Sequence, residues 1–121
     1  MVTISNSEIK VTVAKRGAEI QSIVRGGVEY MWSKDPAYWA SCAPIMFPMC
    51  GGLKKGRYEL DGKSYEMPKH GFAKISDFEV EKQSDTAVTL ILRDNEKTRE
   101  MYPFAFAFRD VYTFGPTFRA E

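Results

Sequence analysis

The chain has 121 residues, 44% of them apolar and 27% charged, with 17 basic side chains against 16 acidic ones. That length suits one domain spanning 1–121, and the near balance of scattered charge offers no footprint for nucleic acid or an anionic membrane. No apolar run reaches the ~20 residues of a membrane span, and Met1-Val2-Thr3-Ile4-Ser5 has no charged segment leading into an apolar one, so a cytoplasmic chain without a secretory signal is expected.

The first half alternates with period two, the mark of half-buried strands. Ile9, Val11 and Val13 share one face of 8–14, with Glu8, Lys10 and Thr12 on the other, until Arg16-Gly17 breaks the pattern. A second run over 18–24 leads into Gly26-Gly27, a hairpin-type turn, and Val28 to Trp32 reads as the return strand. Lys34 to Trp39 predicts a single helical turn, with Asp35 as N-cap and Pro36 at the first helical position.

From Ala40 to Lys55 the periodicity disappears. Pro44, Pro48, Gly51 and Gly52, with apolar residues between them, predict irregular but buried chain, the kind of segment that often carries function. Cys42 and Cys50 lie in this apolar context and are expected as buried reduced thiols, a disulfide being the alternative. One His and no CxxC make a zinc site improbable, and no cofactor is expected. Arg57–Leu60 and Lys63–Met67 flank Asp61-Gly62, the strongest short hairpin signal of the chain.

Strand patterning resumes at Phe78 to Glu81, turns at Ser84-Asp85 and returns through Val88, Leu90 and Leu92. The segment 94–100 is charged and compatible with a helix that Pro103 stops. Phe104, Phe106, Phe108, Tyr112 and Phe114 then form a period-two aromatic stripe, read as the core-facing side of a strand. Gly115-Pro116 turns the chain toward a last short strand. Eight or nine short strands with turns every 8–12 residues give an all-β fold, an antiparallel β-sandwich with one or two helical turns.

The stretch 44–72 carries the most chemistry. It holds the only imidazole, His70, within His70-Gly71-Phe72, so acid–base or sugar-orienting work at neutral pH has one histidine to use. Trp32 reads as core. Glu19, Asp35 and Glu66 have no partner at useful spacing and read as solvated faces or caps.

Trp39, Ala43-Pro44-Ile45-Met46-Phe47-Pro48, Gly51, the Tyr58-x-x-Asp61-Gly62-Lys63-x-Tyr65 hairpin and Met67-Pro68-Lys69-His70-Gly71-Phe72-Ala73 together resemble the amino-terminal part of the aldose 1-epimerase (galactose mutarotase) family. The branch most similar is the bacterial mutarotase-like proteins near the hexose-6-phosphate epimerases. Gly17 to Ser22, Asp35 to Trp39 and Tyr102-Pro103-Phe104 fit the same pattern, which runs from about Ile4 to Thr113.

The resemblance implies a partial β-supersandwich and a carbohydrate-directed protein for a hexose or hexose phosphate. It also implies a Glu base and a His acid that ring opening requires, both from a later part of the family's chain and neither present here. His70 matches the sugar-orienting histidine of the HGF motif, with Gly71 and Phe72 beside it. On that resemblance Trp39 could stack on the sugar ring, Phe47 and Phe72 flank the site as its packed floor, and Lys54, with Lys55, could meet a sugar phosphate. The arginine of the family's Phe-Pro-x-x-Gly-Arg loop is replaced by Gly52, and the residue after HGF-Ala is Lys74 in place of arginine. Sugar binding with weak or absent turnover is therefore expected, a non-catalytic remnant module being the alternative. A homo-oligomer is expected because part of a large sandwich leaves strand edges and an aromatic face to be covered.

Overall fold

Side-chain alternation is translated directly into two sheets. The computed structural model describes all 121 residues. Val2–Ser5 (β1), Ile9–Val13 (β2), Ile20–Arg25 (β3) and Val28–Glu29 (β4) form one antiparallel sheet in the order β1-β2-β3-β4. Glu79–Gln83 (β7), Ala87–Arg93 (β8), Ala107–Phe114 (β9) and Phe118–Ala120 (β10) form a second, in the order β10-β9-β8-β7. Between them in sequence, Arg57–Leu60 (β5) and Lys63–Glu66 (β6) make a separate hairpin about Asp61-Gly62, both in the left-handed region that such a turn requires. The expected sandwich is present.

The inner faces meet over one core. Val2, Ile4, Val11 and Val13 from the first sheet pack against Val88, Leu90, Leu92 and Tyr112 from the second. Phe72, Ala73 and Phe78, from the chain that crosses between the sheets, complete it. Tyr112 also carries a polar link across the sandwich, donating from its hydroxyl to the Ala18 carbonyl at 2.8 Å.

Two local expectations are corrected. The return strand after Gly26-Gly27 stops at Glu29 rather than Trp32. The Glu29 carboxylate accepts from the Ile23 and Met31 N–H groups, each at 2.9 Å, and so takes the place of the next backbone carbonyl in the ladder. The Ser22 hydroxyl, with those two N–H groups, holds the Glu29 pKa down to about 2. The single turn expected after Lys34 is present: the Asp35 carbonyl accepts from the Tyr38 and Trp39 N–H groups at 3.0 and 2.9 Å, and Asp35 Oδ1 accepts from the Ala37 N–H at 2.9 Å. Phe104 precedes β9 and is exposed, so the aromatic row starts at Phe106.

The charged segment becomes a helix, Glu96–Met101 (α1), which ends before Pro103. Its start is set by a reciprocal cap: Asn95 Oδ1 accepts from the Thr98 N–H at 3.0 Å while Thr98 Oγ1 accepts from the Asn95 N–H at 2.8 Å. Asp94 adds a bond from Arg99 Nε at 2.7 Å and accepts from the Phe106 N–H, tying the helix to the entry of β9.

Candidate functional site

Residues 30–53 contain no helix or strand, so their backbone must be held by side chains and by isolated bonds. Two anchors do this near the histidine. Phe47 bridges to Gly71 in parallel fashion, and its carbonyl accepts from the Phe72 N–H at 2.9 Å and the Ala73 N–H at 3.2 Å. His70 and Gly51 exchange bonds: the His70 N–H donates to the Gly51 carbonyl at 2.8 Å, and the Gly51 N–H donates to His70 Nδ1 at 2.9 Å.

The second exchange decides the chemistry of the imidazole. A ring nitrogen that accepts a backbone N–H presents its lone pair there, so in the neutral ring the proton resides on Nε2. His70 therefore offers one N–H donor, partly exposed, on a rigid mount. Its φ of 68° belongs to the left-handed region, where a non-glycine residue persists only if its surroundings hold it. Gly71 follows at φ 73°, and a Cβ there would lie 2.0 Å from the Phe47 carbonyl oxygen. Only glycine lets the two strands of backbone approach this closely.

Beside His70 lies a cavity of about 180 Å³ lined by Trp39, Ser41, Pro44, Met46, His70 and Lys74. Of the residues singled out in the sequence, His70 and Trp39 come together here. Phe72 is 1% exposed and Gly71 is buried, and neither lines the cavity. Phe47 does not line it either: its ring stacks on Phe108 at 4.5 Å between centroids and meets Phe72 edge-on at 5.9 Å. Lys54 stands in the 3₁₀ turn Lys54–Gly56 and does not line the cavity.

The cation at the cavity is Lys74. It occupies the position after HGF-Ala, a signal already visible in the sequence. At Gly52, where the arginine is missing, the nearest side chain is Lys69, whose Cγ lies 3.8 Å from where a Cβ would be. Met46, from the 43–48 family pattern, and Ser41, which carries no sequence signal of its own, complete the wall. Trp32 is 42% exposed rather than core, and its indole N–H donates to the Trp39 carbonyl at 2.7 Å. Cys42 is buried as expected, whereas Cys50 is exposed; both are free thiols.

Glu19 is not a solvated carboxylate. Its Oε1 accepts from Ser41 Oγ at 2.9 Å and from the Cys42 and Ala43 N–H groups at 2.8 Å each, while Oε2 accepts from Gln21 at 3.0 Å. Partial burial works to raise its pKa, but these four bonds together outweigh that effect and hold it below the ordinary value. A second concavity, of about 240 Å³, lies between Pro48, Leu53, Tyr58, Met67, Tyr102 and Phe104. Its almost wholly apolar lining has little to offer a polyhydroxylated ligand.

The relatives of the chain share its fold. A model of the aldose 1-epimerase family matches residues 1–119. The chromosomal protein LacX of Lactococcus lactis subsp. lactis is 31% identical over 99% of this chain, which covers 42% of LacX. A galactose mutarotase related enzyme from Lactobacillus acidophilus superposes with a TM-score of 0.92 at 44% identity, covering 94% of this chain and 39% of that one. A galactose mutarotase-like protein from Lactobacillus casei superposes at 0.89 with 41% identity, covering 93% and 39%. The chain thus spans between 39% and 42% of the length of these relatives. With the family pattern extending over nearly all its residues, the chain belongs to the aldose 1-epimerase family.

Proposed function

We propose that these 121 residues form the sugar-orienting part of an aldose 1-epimerase-type site, binding a hexose or hexose phosphate without catalysing its anomerisation unaided. The observation that carries this reading is the Gly51 N–H to His70 Nδ1 bond, which leaves the Nε2 proton of the neutral ring available to a ligand oxygen. In the cavity, Trp39 supplies an apolar face for the C–H side of a pyranose, and Ser41 supplies a hydroxyl. Lys74 supplies a charge for a ring substituent or a phosphate.

Anomerisation needs a base on the anomeric hydroxyl and an acid on the ring oxygen. None of the six lining residues is a carboxylate, and His70 is the chain's only histidine, so one proton-transfer partner is wanting. The reading accordingly assigns His70 to binding and orientation. It takes residues 1–121 as one β-sandwich domain in a cytoplasmic setting. It also includes self-association, supported by the exposed Tyr30, Trp32, Tyr38 and Trp39.

The test is a chemical-shift titration with D-galactose, D-glucose and glucose 6-phosphate, paired with polarimetry on freshly dissolved sugar. Saturable shifts at Trp39, Ser41 and His70 are expected, with spontaneous optical-rotation decay unaltered. His70→Asn, which tolerates the left-handed backbone, should abolish the shifts. Shifts that persist in the variant, or accelerated decay from the 121-residue chain, would overturn the assignment. Light scattering at micromolar protein showing only monomer would sink the self-association.

A further inference from the structure

We propose that Glu19 is the positioning residue that sets the distance between the two walls of the His70 cavity, an inference that rests on the sugar-orienting reading above. One wall is the irregular segment bearing Trp39, Ser41 and Pro44; the other is the His70–Lys74 turn. Both are fastened to a single feature, the arch at Arg16 to Glu19 between β2 and β3.

On the side of the second wall the fastening is backbone contact. Gly17 donates its N–H to the Ser76 carbonyl at 2.8 Å, and a Cβ on Gly17 would lie 2.8 Å from the Lys74 carbonyl oxygen. The arch thus lies directly against Lys74 and is tied there by the Gly17–Ser76 bond. Ala18, at φ 48°, is locked from the opposite sheet by the Tyr112 hydroxyl on its carbonyl. The Glu19 carbonyl accepts from the Ala14 N–H at 2.8 Å, which fixes the base of the glutamate side chain.

On the side of the first wall the Glu19 carboxylate fastens residues 41–43, between the Trp32 indole bond to the Trp39 carbonyl on one flank and the Phe47 and Gly51 bonds to the His70 turn on the other. One oxygen, Oε1, receives Ser41 Oγ, the Cys42 N–H and the Ala43 N–H within 2.9 Å. Three donors converging on one atom fix the path of the 41–43 backbone, and with it the flanking Trp39 and Pro44. The other oxygen is braced by Gln21, whose own Oε1 accepts from Lys34 Nζ at 2.8 Å. No helix or sheet ladder holds this segment, and a charged acceptor makes stronger bonds than a neutral one. Glu19 itself does not line the cavity, so its influence on a ligand passes through Ser41 and its neighbours.

The experiment compares Glu19→Ala, Glu19→Gln and Glu19→Asp with the wild-type chain by amide and indole NMR and by D-galactose titration. Glu19→Ala is expected to move the Cys42 and Ala43 amide signals and to weaken galactose binding about tenfold, as loss of a charge-assisted bond set implies. Glu19→Gln keeps a carbonyl at the Oε1 position and should restore binding to within about threefold of wild type. Glu19→Asp keeps the charge but withdraws it by a methylene and should behave like the alanine variant, which covers the case in which Glu19→Ala does not fold. Val80→Ala, remote from the cavity and lowering stability by ordinary core truncation, should leave galactose affinity unchanged. Unmoved Cys42 and Ala43 signals in the alanine or aspartate variant, or unchanged affinity despite moved signals, would overturn the proposal. A wild-type chain that binds none of the sugars refutes the sugar-orienting reading instead, and the amide shifts then still report whether Glu19 places the segment.

Discussion

Replacing Asp110 with asparagine is expected to stabilise the fold at neutral pH and to do nothing in acid. Asp110 lies on the inner face of β9, between Phe108 and Tyr112 in the alternation, and is only 6% exposed. The Tyr112 hydroxyl stands 2.8 Å from its Oδ2 and 2.8 Å from the Ala18 carbonyl oxygen. One hydroxyl has one proton. When that proton goes to Ala18, Asp110 meets a phenolic lone pair and needs a proton of its own to make a bond. Burial, opposed by the Tyr112 bond, pushes its pKa from the ordinary 3.8 up to about 6.

Because the native state binds this proton more tightly than the unfolded chain, Asp110 contributes stability that is complete below pH 3.8 and lost as pH rises through about 6. A rise of that size corresponds to about 3 kcal/mol at neutral pH. Asparagine never ionises and keeps an N–H donor for the Tyr112 oxygen. Urea unfolding followed by tryptophan fluorescence, from about pH 4 to about pH 8, measures both proteins under the same conditions. Taking the difference between them removes the opposing effect of Glu19, Glu29, Glu81 and Asp94, whose pKa values are all lowered. The gain from Asp110→Asn should be full above pH 6 and vanish toward pH 4. A difference that does not vary with pH would refute the assignment of the buried proton.

Gly71→Ala places a methyl 2.0 Å from the Phe47 carbonyl, and a destabilisation above ~3 kcal/mol is expected by urea unfolding, with the Gly51–His70 exchange broken in the amide spectrum. Phe47→Ala removes a ring that contacts Phe72, Tyr102, Phe106 and Phe108, and should cost about 3 kcal/mol while reducing sugar binding through loss of the floor. Arg109→Ala breaks a two-bond ion pair with Glu81 at the surface, at 2.7 and 2.8 Å, and should leave the urea midpoint nearly unchanged. A large shift there would mean that the pair is structural.

The sheets could be read in the sequence because each strand announces itself within its own few residues. The alternation of Ile9, Val11 and Val13, the glycine turn at Gly26-Gly27 and the Asp61-Gly62 hairpin are short-range signals. The family pattern around His70 is local too. What sequence spacing could not reach was partnership between distant residues. Glu19 looked idle because three of its four donors lie 22 to 24 positions away, on a segment with no periodicity to locate it. Asp110 was hidden inside an aromatic row that otherwise marked core. The lone charge at that parity was the available sign that something had to accompany it.

Local chemistry along the chain therefore settled which segments form strands, where most turns fall and where the only imidazole lies, since hydrophobic alternation and backbone preference act between near neighbours. Folding alone decided which tautomer His70 adopts, that Lys74 rather than Lys54 faces the cavity, and that Trp39 and Ser41 stand opposite the imidazole. Those outcomes depend on hydrogen bonds closed across 19 to 24 residues and on one packed aromatic cluster, and such contacts exist only once the two sheets have met.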